Sequence, residues 1–272
     1  NRGEIAIRVF RALNELGITS VAIYSKEDKY AMFRTLADEA YPLNPEKGPI
    51  DAYLDIPTII KIAKDHNIDA IHPGYGFLAE NPVLVEECEK NGLVFIGPTV
   101  ESMNAMGDKI SSKQIAIASE VPIIPGVDHA MKTTEEAIEV ARKVGYPVML
   151  KASNGGGGRG MRIVERKEDM EEAFAKSENE SKRAFGESKL FLEKYLIRPK
   201  HIEVQILGDN YGNIVHLYDR DCSVQKNNQK VIEFAPAWTI SDEIRKKILD
   251  SAKRLARRVG YTNAGTMEFL VD

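Results

Sequence analysis

The segment Tyr146-Pro-Val-Met-Leu-Lys-Ala-Ser-Asn-Gly-Gly-Gly-Gly-Arg-Gly-Met-Arg-Ile-Val164 places a run of glycines between two apolar stretches. Residues 146–151 and 161–164 each predict a short β-strand. The glycine run is not a Walker A loop, because no Gly-Lys-Ser/Thr follows it. It is not a dinucleotide-binding fingerprint either, because the next element is a strand and not a helix.

Glycines let backbone N–H groups approach a polyphosphate without a clash from Cβ. A glycine loop between two antiparallel strands therefore predicts a mobile lid that closes over phosphates. The competing interpretation is a flexible linker, but such linkers usually contain Ser or Thr and join polar segments. Lys151 and Lys109 are candidate phosphate ligands, and each is equally compatible with an ordinary surface lysine when taken alone.

Downstream of the glycine run, the pattern is that of an antiparallel α+β domain. In residues 201–207 the apolar side chains alternate with polar ones, which predicts a strand with one buried face. A turn at 209–213 and a strand at 214–218 follow. Ser241 then begins a helix that ends at Gly260, and a last strand covers 267–270. The inner side of that helix is formed by Ile244, Ile248, Ala252, Leu255 and Val259.

Upstream, the first hundred residues alternate between helix and strand signals. The apolar stripe Ile5, Val9, Leu13 and Leu16 predicts a first helix, and later helices are expected near 56–63 and 84–88. Strands are expected at 20–24, 69–72 and 93–96. This order is typical of a parallel, doubly wound sheet. Because such a sheet normally begins with a strand, we expect one upstream of the first helix. Thr133 and Glu136 predict a helix start by a capping box.

Composition excludes several classes of protein. The 272 residues carry a net charge of −4, which excludes a broad basic surface for nucleic acid or anionic lipid. No apolar run of about 18 residues predicts a membrane span, and Asn1-Arg-Gly-Glu4 is unlike a signal peptide. Cys88 and Cys222 lie far apart without a CxxC motif. We therefore expect two buried thiols in a reducing compartment, the cytoplasm, and no disulfide or zinc site.

Nine segments, in order along the whole chain, resemble the biotin carboxylase family of ATP-grasp enzymes. They are Asn1–Ala6, His72–Phe77, Met106–Lys109, Lys151–Met161, Glu193–Leu196, Lys200–Glu203, Arg220–Gln225, Gln229–Lys230 and Gly265–Leu270. Residues 25–29 and 48–56 look most like the pyruvate carboxylase branch. The resemblance implies a Rossmann-like N-terminal domain over 1–108. An ATP-grasp domain over 109–272 would follow, incomplete at its C-terminus, with a lid over about 127–195.

The resemblance also implies roles for individual residues. Nucleotide binding is implied for Lys109, Lys151, Gly156, Gly157, Gly158, Glu193, Lys194, Leu196, His201 and Asn228. Glu268 is implied as a ligand of Mg²⁺ or Mn²⁺. Lys230 and Gln225 are implied as the catalytic residues that bind bicarbonate. Asn228 stands where the family often has histidine, and Asn154 where it often has glycine.

The implied reaction is ATP-dependent carboxylation of biotin. Bicarbonate attacks the γ-phosphate of ATP to give carboxyphosphate and ADP. Carboxyphosphate then yields CO₂ and phosphate, the phosphate takes the N1′ proton of biotin on a carrier domain, and the biotin attacks CO₂. A carboxyltransferase domain or subunit and a homo-oligomer are the implied partners, without nucleic acid or membrane. Because the family's second metal carboxylate and catalytic arginine lie beyond Asp272, we expect the 272 residues alone to be incomplete for turnover.

Three alternatives stay open. The first is the biotin carboxylase subunit of an acetyl-CoA or other acyl-CoA carboxylase, since this segment does not identify the final carboxyl acceptor. The second is another ATP-grasp ligase, such as half of a carbamoyl-phosphate synthase. The third is a non-catalytic module that binds nucleotide, which Asn228 favours because asparagine lacks the titratable charge of the family's histidine.

Overall fold

The computed structural model of the protein describes residues 1–107, 109–127, 129–152, 161–185, 189–226 and 229–272. They form two compact units, the first comprising Asn1–Asn104 with Thr262–Ala264 and the second Ala105–Tyr261 with Gly265–Asp272. The predicted domain division at 108/109 and the predicted lid stay predictions. Within the described ranges, every helix is too short or too polar to cross a bilayer.

The first unit alternates helices with short parallel strands. Its helices are α1 (Gly3–Glu15), α2 (Met32–Leu36), α3 (Ile56–Asp65), α4 (Pro82–Lys90) and α5 (Val100–Gly107), the last of which runs into the second unit. Its strands are β1 (Val21–Tyr24), β2 (Glu39–Pro42), β3 (Ala70–Ile71) and β4 (Val94–Phe95). Strand β1 pairs with β2 and β3 with β4, both in parallel. The predicted parallel α/β architecture is confirmed, although β2 was not predicted.

The buried face of α1 differs from the predicted stripe. Ala6 and Phe10 are the buried residues of this helix, while Leu16 is 71% exposed. Leu16 is the C-cap residue, and Gly17 follows with a φ of +68°. The prediction was wrong at Leu16 because the helical repeat that would turn its side chain to the core ends at Glu15.

The second unit contains two sheets. Its helices are α6 (Lys109–Ala118), α7 (Thr134–Val144), α8 (Met170–Phe185) and α9 (Asp242–Arg258). Its strands are β5 (Val148–Ala152), β6 (Met161–Val164), β7 (Leu190–Lys194), β8 (Lys200–Gly208), β9 (Ile214–Lys226), β10 (Gln229–Phe234) and β11 (Asn263–Val271). The three-stranded sheet has the order β6-β5-β7, and the four-stranded sheet has the order β10-β9-β8-β11.

The antiparallel pairings follow the predicted pattern. Strand β5 runs antiparallel to β6 and β7, and β9 runs antiparallel to β8 and β10. The predicted caps are present, since the Thr133 hydroxyl accepts from the Glu136 N–H at 3.2 Å and the Ser241 hydroxyl from the Ile244 N–H at 3.3 Å. Strand β9 extends to Lys226, well beyond the predicted residues 214–218, because β10 adds a pairing partner that the sequence did not predict.

Each sheet of the second unit packs on its own apolar core. The core under the three-stranded sheet includes Val148, Leu150 and Leu192, which are fully buried. The core under the four-stranded sheet includes Ile202, Val204, Ile206 and residues of α9 such as Ala252. The predicted alternation in β8 is therefore confirmed on its apolar side. On the polar side, Glu203 is only 4% exposed, which the alternation alone did not indicate.

Candidate functional site

A buried glutamate organises the polar face of the four-stranded sheet. Glu203 on β8 lies directly opposite Arg220 on β9, and its carboxylate forms ion pairs with Arg220 and with Lys230 on β10. Arg220 Nη2 also donates to Gln205 Oε1 at 3.2 Å. A buried carboxylate is tolerated when cations and hydrogen bonds compensate its charge, and two cations do so here.

Lys230 connects this pair to a second carboxylate. Its Nζ donates to Glu268 Oε1 at 2.7 Å, and the other oxygen of Glu268 lies 3.1 Å from His201 Nε2. Gln225 Nε2 lies 2.7 Å from His201 Nδ1 and donates to the Cys222 carbonyl at 2.9 Å. If the amide donates to Nδ1, then Nε2 carries the proton and donates to Glu268. We call Glu203, Arg220, Gln225, Lys230, His201 and Glu268 the charged network.

Contacts within the charged network favour the ionised forms of Glu268, Lys230 and Glu203. The hydrogen bond from His201 is the largest cause that lowers the pKa of Glu268 to about 2, with Lys230 adding to it against the effect of burial. Burial alone would lower the pKa of Lys230, but the hydrogen bonds and charges of Glu203 and Glu268 raise it overall. Burial would raise the pKa of Glu203, and its bonds to Lys230 and Arg220 lower it instead. The ammonium is therefore charged at neutral pH.

Only part of this polar face suits a divalent ion. The carboxylate of Glu268 is a hard oxygen ligand of the kind that Mg²⁺ and Mn²⁺ prefer, and its low pKa keeps it ionised. A second group of potential ligand atoms lies within 4.8 Å of one another, one each from Glu203, Cys222 and Glu233. Arg220 contacts both of these glutamates, and burial raises the pKa of the Cys222 thiol to about 12. Because its thiol stays protonated and sulfur is a poor ligand for Mg²⁺ or Mn²⁺, this second cluster is less suited to such an ion than Glu268 is.

The three-stranded sheet carries a separate ion pair. Lys151 on β5 pairs with Glu193 on β7, and their side chains are 26% and 23% exposed. The two residues are diagonal neighbours, since Lys151 lies opposite Phe191 and Glu193 opposite Met149. Cross-strand diagonal positions are within reach of long side chains, so the antiparallel register itself creates this contact.

Lys194 and Leu196 behave differently from their neighbour Glu193. The ammonium of Lys194 donates to the carbonyls of Gly145 and Tyr146, both at 2.9 Å, just after the end of α7. Its ammonium is therefore occupied by backbone carbonyls. Only the main-chain groups of Lys194 are then left to contact a ligand at the end of β7. Leu196 lies two residues after β7 and is partly exposed.

The structure brings together six of the residues that the sequence singled out, four on one sheet and two on the other, and leaves others undescribed. Lys230, Gln225, His201 and Glu268 meet on one sheet, together with Glu203, whereas Lys151 and Glu193 meet on the other. Gly156, Gly157, Gly158 and Asn228 lie outside the described residues, as does the side chain of Lys109.

Sequence reasoning missed the parts of Glu203 and Arg220 in the charged network. Both stand within segments that resembled the family, but neither was given a role. A usable signal was present in the sequence. Glu203 is an acidic residue in a predicted strand whose other face is fully apolar, and Arg220 follows on the chain after a short turn and a second strand. A carboxylate in an interior strand requires a cation close by, which would have directed attention to Arg220.

Comparisons with known proteins find matches to both parts of the chain. Residues 1–103 match the family described as biotin carboxylase, N-terminal domain, and residues 108–272 match the carbamoyl-phosphate synthase L chain, ATP binding domain. The chain is 56% identical over 272 residues to pyruvate carboxylase 1 of Caenorhabditis elegans, covering 100% of this chain and 23% of that protein.

Two solved structures are similar throughout. A biotin carboxylase in a β,γ-ATP complex from Campylobacter jejuni has a TM-score of 0.92 and 46% identity, over 100% of this chain and 61% of that one. The biotin carboxylase domain dimer of the Hydrogenobacter thermophilus 2-oxoglutarate carboxylase was solved with MgADP, ADP and bicarbonate. Its TM-score is 0.90 at 47% identity, over 100% of this chain and 60% of that one.

The fold, the two matching domains and these similarities define the class: the chain belongs to the biotin carboxylase family of ATP-grasp proteins. Within that family it is similar to the N-terminal region of pyruvate carboxylase, as the resemblance predicted. The chain spans about a quarter of the length of the curated relatives it matches, with 23% for the nematode protein.

Proposed function

We propose that this chain carries out ATP-dependent carboxylation of carrier-bound biotin with bicarbonate, as the biotin carboxylase part of a pyruvate carboxylase-like enzyme. The observation that carries the proposal is the position of Lys230, whose ammonium is held between Glu203 and Glu268 beside Gln225 and His201. A fixed cation next to an amide is suited to a small, planar anion with several acceptor oxygens.

In this proposal Lys230 binds bicarbonate and Gln225 orients it. The reaction brings bicarbonate to the γ-phosphate of ATP, and two like charges about 4 Å apart repel by about 4 kcal/mol at an intermediate dielectric constant. A charged ammonium at Lys230 offsets part of that repulsion. Glu203 and Glu268 keep the ammonium charged and fix its position before the substrate arrives, so less reorganisation is needed during the reaction.

The nucleotide would bind against Lys151 and Glu193 of the three-stranded sheet. Lys151 is assigned to the phosphates or to adenine, Glu193 with the Lys194 and Leu196 main chain to the adenine edge, and His201 to the ribose. Lys109, Gly156, Gly157, Gly158 and Asn228 are assigned to the same nucleotide by the family resemblance. Glu268 would hold Mg²⁺ or Mn²⁺, which when bound supplies positive charge to the phosphates.

The test is ADP formation by the full-length protein, with and without bicarbonate and free biotin. We expect stimulation by both, and we expect Lys230→Met to lower the bicarbonate-dependent rate at least about 100-fold, as for loss of one charge-stabilising donor. The dissociation constant for ATP should change less than about threefold. Lys247→Met is the matched control, because Lys247 is an exposed lysine paired with Glu243 on α9.

Two outcomes would contradict the proposal in different ways. ATP binding without any bicarbonate-dependent turnover would favour the non-catalytic nucleotide-binding module. Bicarbonate-dependent turnover followed by carboxyl transfer to an acyl-CoA, and not to pyruvate, would keep the reaction but assign the chain to an acyl-CoA carboxylase. Measuring transfer from carboxylated carrier to pyruvate and to acetyl-CoA separates these cases.

Partners and compartment follow from the same proposal. The carrier domain would supply biotin to this reaction, and a carboxyltransferase would use the carboxylated biotin. A homo-oligomer is also proposed. Light scattering of the purified full-length protein tests the oligomer. A cytoplasmic location is proposed because both cysteines are free and buried, as expected in a reducing compartment. Cell fractionation followed by immunodetection tests it.

A further inference from the structure

The polypeptide passes between the two cores of the second unit through two short segments. The first lies between Val121, in the core under the four-stranded sheet, and Val127, in the other core. The second lies between Lys194 at the end of β7 and Lys200 at the start of β8. Glu120 and Arg198 stand at these two segments with φ of +53° and +55°, an uncommon conformation for residues other than glycine.

The first segment is fixed at its start by α9. Arg254 donates from Nε to the Ser119 carbonyl at 3.0 Å and from Nη2 to the Glu120 carbonyl at 3.2 Å. The Val121 N–H donates to Ala116 at 2.9 Å, which closes the end of α6. The segment up to Val121 is therefore held by α9 and α6, which pack in the core under the four-stranded sheet.

The end of the same segment pairs with β7. Val127 donates to the Leu192 carbonyl at 3.0 Å, and Lys194 donates to the Pro125 carbonyl at 2.7 Å. Between them, a Cβ on Gly126 would lie 2.3 Å from the Leu192 oxygen, so only glycine permits this approach. Residues 125–127 thus support the part of β7 that contains Glu193, the residue assigned above to the adenine edge.

Lys113 connects these two regions. It lies on α6, whose residues Ile115 and Ala116 pack in the core under the four-stranded sheet. Its Nζ donates to the Val127 carbonyl at 3.0 Å. The bond therefore runs from one core to the strand segment that supports β7 in the other. An ammonium donor forms a stronger hydrogen bond to a carbonyl than a neutral donor does.

We infer that Lys113 is a positioning residue for nucleotide binding: its ammonium, through the Val127 carbonyl and the 125–127 segment, fixes where Glu193 and Lys194 stand relative to the four-stranded sheet. The inference rests on the proposed function for the identity of the nucleotide segment. Lys113 itself is separated from Glu193 by a backbone strand and has no contact with the substrate in this assignment.

The test compares Lys113→Met, Lys113→Arg and Lys247→Met in the full-length protein. Methionine keeps most of the length of the side chain and removes the ammonium, while arginine retains a cationic donor. We expect Lys113→Met to raise the KM for ATP about tenfold, with the KM for bicarbonate and kcat within twofold of wild type. Lys113→Arg should restore the KM for ATP to within threefold, and Lys247→Met should leave all three constants unchanged.

Direct binding of ADP, measured by calorimetry, separates this inference from the proposed function. If the wild type binds ADP but shows no bicarbonate-dependent turnover, the proposed function fails while a tenfold weaker binding by Lys113→Met still supports the positioning role. If Lys113→Met binds ADP as the wild type does, the inference is overturned. It is also overturned if Lys113→Met is insoluble while Lys113→Gln folds and binds ADP normally. A KM for bicarbonate that rises together with the KM for ATP would overturn it as well.

Discussion

The two sheets of the second unit hold their charges in opposite ways. On the four-stranded sheet, Glu203 is buried and shares its charge with Arg220 and Lys230, and Lys230 continues to Glu268. On the three-stranded sheet, Lys151 and Glu193 form one pair that is partly open to solvent. A network with several partners resists rearrangement, whereas a single, partly exposed pair exchanges partners at little cost.

This difference matches the tasks proposed for the two sheets. Bicarbonate is small and has few groups to contact, so its binding site must be ordered before it arrives. A nucleotide is large and can separate Lys151 from Glu193 by offering a phosphate to one and an amino group to the other. The comparison predicts that changes on the four-stranded sheet affect folding and turnover, and that changes on the three-stranded sheet affect nucleotide affinity.

The largest effect is expected from Glu203→Ala. Removing this carboxylate leaves Arg220 and Lys230 without their shared partner, and breaking a buried ion pair in this way costs about 3–5 kcal/mol. Hydrogen exchange of β8 amides in the full-length protein measures the loss. Glu233→Ala is the matched control, because Glu233 is 41% exposed and lies 3.7 Å from Arg220, so a loss below about 1 kcal/mol is expected. Equal losses in the two variants would contradict the contrast.

The contribution of Glu203 should depend on pH in a defined direction. Its pKa in the folded protein is below the ordinary value of 4.5, so folding is favoured by this group above that value. The contribution disappears as the pH falls through the folded pKa. We expect the difference in β8 protection between wild type and Glu203→Ala to be constant above about pH 6 and to shrink in acid. A difference that grows on acidification would contradict the ion pairs described here.

A smaller effect is expected from Lys151→Met. Loss of one charge-assisted contact should weaken ATP binding about tenfold, which corresponds to about 1.4 kcal/mol. The stability of β5 and β7 should change by less than about 1 kcal/mol, because the ion pair with Glu193 is partly exposed. Calorimetric titration with ATP and hydrogen exchange measure the two quantities. Lys230→Met, tested in parallel, should show the reverse pattern, with ATP affinity retained and bicarbonate-dependent turnover lost.

The smallest effects are expected at the helix caps, one beside each sheet. Ser241→Ala removes the acceptor for the Ile244 N–H on α9, and Thr133→Ala removes that for the Glu136 N–H on α7. Each should cost about 1 kcal/mol, and each should reduce exchange protection in its own helix. Thr133→Ser and Ser241→Thr are the conservative controls. Loss of protection in both helices from either variant would show that the two cores unfold together.

Much of the fold followed from local pattern. The two strands around the glycine run, the alternation in β8 and the capped helix beginning at Asp242 all depend on periodicities of two or 3.6 residues, which a single sequence displays. Strands β2 and β10 were not predicted. In β10 every residue is exposed, so no alternation of apolar and polar side chains marks it, and only its pairing with β9 defines it.

The sequence by itself determined the class of the protein, because nine motifs in order and two periodic patterns are properties of the chain read in one dimension. It also determined which residue types were available for a phosphate and for a small anion. The tertiary structure alone decided which of them meet. Glu203 and Lys230 are 27 positions apart, and Lys230 and Glu268 are 38 apart. Contacts at such separations depend on strand order and register, which arise when whole sheets pack and bury their apolar faces.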